Sequence, residues 1–177
     1  MTKPTQSHAD PSAGSAKQRL EKGYESLVQK TKETYSGGEK KSEVWFEEAL
    51  EKSRQALQDA GEFSEEETQQ LRDYLRRDLQ ATEVDFRRWS EQARKQLEPT
   101  RVGTGFLDLV SSLLEGTPDV LDGLGKKVSE ALTYNTGEMT GPGTLTCTSC
   151  KKEMHFDEPG HIPPCAGCKG TTFRKHY

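Results

Sequence analysis

The chain has 177 residues, a formal net charge of −4, and equal 31% shares of apolar and charged residues. Leu, Ile, Val and Phe together supply about 17%, below the ~20% associated with disorder, but without the strong charge imbalance that disorder also needs. The composition fits a thin-cored helical protein and argues against a large buried catalytic cleft. No run of ~18 apolar residues occurs, so no membrane span is expected, and a pI near 5.7 gives no basic excess of the kind that signals nucleic-acid binding.

Residues 1–14 are rich in Pro, Ser, Thr and Gly and read as a disordered tail. They contain no apolar core, so no secretory signal is expected there. From Ser15 the residues Leu20, Tyr24, Leu27, Val28 and Tyr35 recur at helical spacing. Gly37-Gly38 ends this helix. A second helix carries Val44, Trp45, Ala49, Leu50, Ala56, Leu57 and Ala60, with Gly61 placed to take positive φ just past its end. Ser64 and Glu67 then form a capping box, and Phe63 is placed to staple onto the turns that follow. The helix opened there is predicted over about 65–97, ending before Pro99. Its stripe of Leu71, Leu75, Leu79, Thr82, Phe86, Trp89, Ala93 and Leu97 advances by about 3.7 residues per step, nearer a straight helix than a left-handed heptad coil. Antiparallel packing of straight helices is expected in preference to a long coiled coil.

The segment 106–114, FLDLVSSLL, is the most apolar in the chain. It reads as a short helix packed on the long ones, with a patch for a partner or, more weakly, a membrane surface as the alternative. Thr117-Pro118 starts another short helix through Leu121, Leu124, Val128 and Leu132. The stretch TYNTGEMTGPG holds three glycines and a proline, and residues 134–142 within it read as a linker or hinge. Short β-like runs follow at Gly143–Thr146, Glu153–Phe156 and Thr171–His176.

All four cysteines lie in this last segment, as Cys147-x-x-Cys150 and Cys165-x-x-Cys168. A C-x-x-C turn aims two thiolates at one point without strain, and two such turns supply the tetrahedral sulfur set that zinc accepts. The expected cofactor is one structural Zn²⁺ per chain, held by Cys147, Cys150, Cys165 and Cys168. An iron centre of rubredoxin type shares this geometry, and two disulfides or a redox dithiol pair are the remaining readings. Four thiolates fill the coordination sphere and leave no position for water, so a catalytic zinc is not expected. His155, His161 and His176 lie nearby and read as surface residues rather than ligands. Leu145, Phe156, Ile162 and Phe173 are the expected small core of this module. The confinement of cysteine to two knuckles fits a reducing cytoplasm better than a disulfide-stapled secreted protein.

The expected fold is therefore mainly α: an elongated antiparallel helical region over 15–133, a glycine-rich linker over 134–142, and a small C-terminal β zinc ribbon over 143–177. The run Tyr134-x-x-Gly137-Glu138-x-x-Gly141-x-Gly143-x-Leu145-x-Cys147-x-x-Cys150, continued by Ile162-Pro163-x-Cys165-x-x-Cys168 and Phe173-x-Lys175, resembles the bacterial YbeL-like zinc-ribbon-containing proteins. The resemblance, to a family of unknown function, implies the same four metal ligands and a helical N-terminal region, and transfers no catalytic residue. The leading functional expectation is a non-catalytic interaction or adaptor protein with a protein partner. The alternative is nucleic-acid binding through Lys151, Lys152, Lys169, Arg174 and Lys175 with His155, Phe156, Phe173 and Tyr177. Against it, residues 1–100 carry 17 Lys/Arg and 20 Asp/Glu, a poor field for phosphate. No Ser-His-Asp spacing, phosphate loop or paired acid motif points to an enzyme.

Overall fold

A computed structural model describes residues 11–38, 42–88, 104–116 and 132–176. Four helices are present among them: α1 (Pro11–Ser36), α2 (Glu43–Asp59), α3 (Glu65–Arg88) and α4 (Thr104–Gly116). Helix α1 begins within the expected tail, at Pro11, a residue whose fixed φ and missing N–H suit the first helical position. Residues 1–10, the continuation of α3 to Leu97, and the expected helix from Thr117 lie outside the described residues.

The helix boundaries follow local chemistry. Ser42 caps α2 by accepting the Trp45 N–H, and the Trp45 indole N–H donates to the Tyr35 carbonyl, satisfying the end of α1 at 3.1 Å. Gly61, at φ 74°, turns the chain after α2 where a Cβ would be strained. The capping box forms in both directions: the Ser64 N–H donates to Glu67 at 2.8 Å, and the Glu67 N–H donates to Ser64 Oγ at 3.2 Å.

Helices α1, α2 and α3 pack on one another, and α4 lies against α1. Tyr24, Leu27, Tyr35, Phe46, Leu50, Leu71, Leu75 and Leu79 are fully buried at their centre, and Phe63 joins them. Phe106, Leu109, Val110 and Leu113 of α4 are buried in the same core. The apolar 106–114 segment is thus core at these four positions and does not offer them to a partner.

Six short strands follow: β1 (Tyr134–Asn135), β2 (Met139–Thr140), β3 (Gly143–Cys147), β4 (Glu153–Phe156), β5 (Gly160–His161) and β6 (Thr172–His176). They form an antiparallel sheet in the order β1-β6-β3-β4, and a separate β2-β5 pair. Directly opposed residues share a face, so Tyr134 with Phe173, Phe173 with Cys147, and Lys175 with Leu145 all point the same way. Leu145, Ile162 and Phe173 are buried as expected, Phe156 packs on them, and Tyr134 and Ala81 of α3 complete this second core.

Residues 134–142 differ from the expected linker. They supply β1 and β2, and Tyr134, Met139, Thr140, Gly141 and Pro142 are buried. Met139 enters the helical core, while strand β2 and strand β6 both contact α3. The glycines serve close turns and backbone approach here, which composition alone does not separate from flexibility.

Candidate metal centre and its buried neighbour

Cys147 closes β3, and Cys150 sits at the tip of the turn that follows. Cys165 follows the Pro163-Pro164 step outside any strand, and Cys168 ends a matching turn. In each knuckle the residue after the second cysteine adopts left-handed backbone, Lys151 at φ 63° and Lys169 at φ 62°. That conformation is uncommon for a non-glycine residue and turns the chain back on itself. The Lys151 N–H then donates to the Cys147 carbonyl at 3.0 Å, and the Lys169 N–H to the Cys165 carbonyl at 2.8 Å. The return is closed by Cys147 N–H to Lys152 carbonyl and Cys165 N–H to Gly170 carbonyl, both 2.9 Å.

The two knuckles bring all four sulfurs within 4.8 Å of one another. Cys147 Sγ lies 3.7 Å from Cys168 Sγ, and Cys150 Sγ lies 3.5 Å from Cys165 Sγ. A tetrahedral ion with ~2.3 Å metal–sulfur bonds has sulfur–sulfur edges of about 3.8 Å, so the cluster is sized for one zinc-like ion. Cys147 and Cys165 are buried, while Cys150 and Cys168 face solvent.

Backbone N–H groups tune the sulfurs toward thiolate. Those of Cys168 and Gly167 bring the Cys165 thiol down to about 6. Those of Cys150 and Ser149 lower Cys147 in the same way, with desolvation opposing. The Gly170 N–H, 3.4 Å from Cys168 Sγ, pulls Cys168 down as well. Sharing with Cys150 and Cys147 outweighs it and pushes that thiol up to about 12. Four sulfurs this close cannot all carry a charge unless a cation joins them. Gly170 is also a fitted position, since a Cβ there would stand 3.2 Å from both Cys147 Sγ and Cys168 Sγ. Donor set, spacing and backbone N–H groups together fit a closed tetrahedral site. The chain belongs to the zinc-ribbon containing domain family, DUF1451. The match to that family model covers residues 33–177, which takes in most of the helical region along with the ribbon. No curated protein and no solved structure matches the chain.

The histidines stand apart from the ribbon's sulfurs. His155 faces Thr144 Oγ1 and Asp157, His176 faces Thr146 Oγ1 and Glu153, and His161 Nδ1 meets the Gly137 carbonyl. Among the described residues the cysteines are the one group placed to hold a metal ion. The basic-aromatic surface is smaller than its sequence implied. Lys151, Lys152, Lys169 and Arg174 are exposed, but Phe173 is fully buried and the Lys175 side chain has no exposure.

Lys175 instead meets Asp78 of α3, and both side chains are fully buried. Its ammonium donates to Thr140 Oγ1 at 3.0 Å and to the Gly141 carbonyl at 2.9 Å, and stands 3.1 Å from Asp78 Oδ1. Asp78 also accepts from the Tyr134 hydroxyl at 2.8 Å, and from the Tyr24 hydroxyl and Gly141 N–H at 2.6 Å each. Burial pushes the Lys175 ammonium down to about 8, with the Asp78 carboxylate opposing. Beside it, the Arg77 guanidinium stacks 3.9 Å from the Tyr134 ring centroid, pairs with Glu138 and donates to the Met139 carbonyl. Residue-type reasoning missed this cluster. Acidic residues on a helix ordinarily line its solvated face, yet Asp78 follows Leu75 by three and precedes Thr82 by four, squarely on the buried stripe.

Proposed function

We propose that this protein is a non-catalytic interaction protein whose C-terminal module is organised by one structural zinc ion. The ligands are Cys147, Cys150, Cys165 and Cys168, and the clustering of all four sulfurs within 4.8 Å, with two pairs at 3.5 and 3.7 Å, is the observation that carries the reading. The ion supplies charge neutralisation and cross-linking: it joins β3 to the loop before β6 and leaves no open position for substrate or water. A module of about 35 residues buries too little apolar surface to fold without such a link. Thiolate ligands suit a reducing compartment, in keeping with a cytoplasmic setting. The finer likeness to YbeL-like bacterial proteins, and an elongated helical part, belong to the same reading. Helix α1 alone, with 26 residues, extends about 39 Å.

A protein partner is favoured over nucleic acid. With Phe173 and Lys175 withdrawn into the interior, the ribbon offers four exposed cations, and Glu153, Asp157 and Glu158 share its surface. About three phosphate contacts would give log affinity a slope of about −2 to −3 against log salt, and weak binding at ~150 mM. No described helix is long and apolar enough to cross a membrane.

Elemental analysis of the full-length protein purified without added metal tests the metal assignment: one zinc per chain is expected, and iron or intact disulfides would overturn it. Anisotropy titration against random single- and double-stranded nucleic acid tests the partner class. No sub-micromolar binding at ~150 mM salt is expected. Nanomolar binding lost on changing Lys151, Lys152 and Arg174 to Ala would put nucleic acid first.

A further inference from the structure

The Asp78–Lys175 pair ties together parts of the chain that are remote in sequence. Tyr24 comes from α1, Asp78 from α3, Tyr134 from β1, Thr140 and Gly141 from β2 and its exit, and Lys175 from β6. Among the described residues the three ammonium protons meet three acceptors, and the carboxylate accepts four hydrogen bonds. If β6 leaves, Asp78 loses its cation, and if α3 moves, Lys175 loses its anion.

The metal site is one residue pair away. Cys147 faces Phe173 across the sheet, and Lys175 on the same strand faces Leu145. Both cysteine knuckles and Phe173 share the second core with Ala81 of α3, one helical turn beyond Asp78. The strand that meets the metal ligands is therefore the strand whose lysine is pinned to the helices. We propose that the Asp78–Lys175 pair couples zinc occupancy of the cysteine cluster to docking of the ribbon on α1 and α3, so that the ribbon is a metal-held cover over that helical face. This rests on the zinc reading above. With zinc bound, β6 is held in register and buries Lys175 against Asp78. Without it, the small ribbon core does not hold β6 against β3, the ion pair opens, and the Tyr24–Asp78 face is uncovered. Linkage makes the effect reciprocal: whatever factor zinc contributes to docking, an intact ion pair contributes to zinc affinity.

The test uses full-length protein and two readouts. Zinc affinity is measured by competition with a chromophoric chelator for wild type, Asp78→Asn, Lys175→Met, Arg174→Ala and Leu50→Ala. Amide hydrogen exchange of wild type is measured with zinc and after chelation. Tenfold or greater loss of zinc affinity is expected for Asp78→Asn and Lys175→Met. Arg174→Ala, on the exposed face of the same strand, and Leu50→Ala, in the α2 part of the core, should stay within about twofold, which separates coupling from general destabilisation. Zinc removal should speed exchange over 20–28 and 71–82. Zinc affinity of a helical Asp78→Asn protein within twofold of wild type, or α3 protection indifferent to zinc, overturns the proposal. Should Asp78→Asn fail to fold, Lys175→Met and the wild-type exchange experiment decide it. Wild type that holds no zinc at all defeats the metal reading itself, a result distinguishable from failure of the coupling.

Discussion

Replacing Tyr134 by Phe removes one hydroxyl from the middle of the protein and little else. The ring is fully buried and sits 3.9 Å from the Arg77 guanidinium carbon, so its packing survives the change. What is lost is the 2.8 Å bond to Asp78 Oδ1, a hydrogen bond to a buried group paired with Lys175. Hydrogen bonds to charged groups contribute about 1.5–3 kcal/mol. At about 2–4 °C per kcal/mol for a chain of this size, the melting midpoint of the zinc-loaded protein should fall by about 3–12 °C. Tyr35→Phe is the matched comparison. Tyr35 is equally buried and packs edge-on to Phe46 at 6.1 Å, but its hydroxyl finds no hydrogen-bond partner among the described residues, and burial pushes its ionisation up. Deleting an unpartnered buried hydroxyl should be neutral or slightly stabilising. Differential scanning calorimetry of the three proteins at one zinc concentration gives the answer. A Tyr134→Phe midpoint equal to wild type, or a larger fall for Tyr35→Phe, would refute the account of the buried cluster.

Cys165→Ser should reduce bound zinc from one per chain to near zero by elemental analysis and collapse the NMR dispersion of residues 143–176, while circular dichroism keeps most of its helical signal. The zinc-loaded protein should resist limited proteolysis across 134–143, where Tyr134 and Met139–Gly143 are buried, and become cleavable there once a chelator removes the metal; cleavage at equal rates in both states would contradict the observed packing. For pH, Lys175 loses its proton at about 8 in the folded protein, against ~10.4 for an ordinary lysine. Between those values the unfolded chain holds more protons, so this group makes stability rise with pH. The stability of wild type relative to Lys175→Met, from urea titrations, should increase between pH 8 and 9.5 and change little below pH 8. Asp78, Tyr24, Tyr134 and Arg77 surround the site in both proteins.

Features governed by neighbours in the chain were legible before any fold was known. The Ser64–Glu67 box, the Gly61 turn and the two cysteine knuckles each need only a few consecutive residues to adopt one backbone shape, so residue type and spacing determine them. The stripe Leu71, Leu75, Leu79 and the strands around 143–147, 153–156 and 172–176 were legible for a related reason: periodic apolar residues declare which face must be buried. Other features depend on what a residue meets from elsewhere. Lys175 in a run of Arg and Lys reads as a surface cation, and Asp78 among many acids reads as solvated, because each is intelligible only with the other beside it. Residues 134–142 look like a linker by composition, since glycine serves an open hinge and a tight backbone approach equally well. Only the tertiary structure puts Gly141 against Asp78 and Met139 into the helical core. A charge in the interior is tolerable when its partners converge from α1, α3 and three strands at once, and that convergence is a property of the assembled fold.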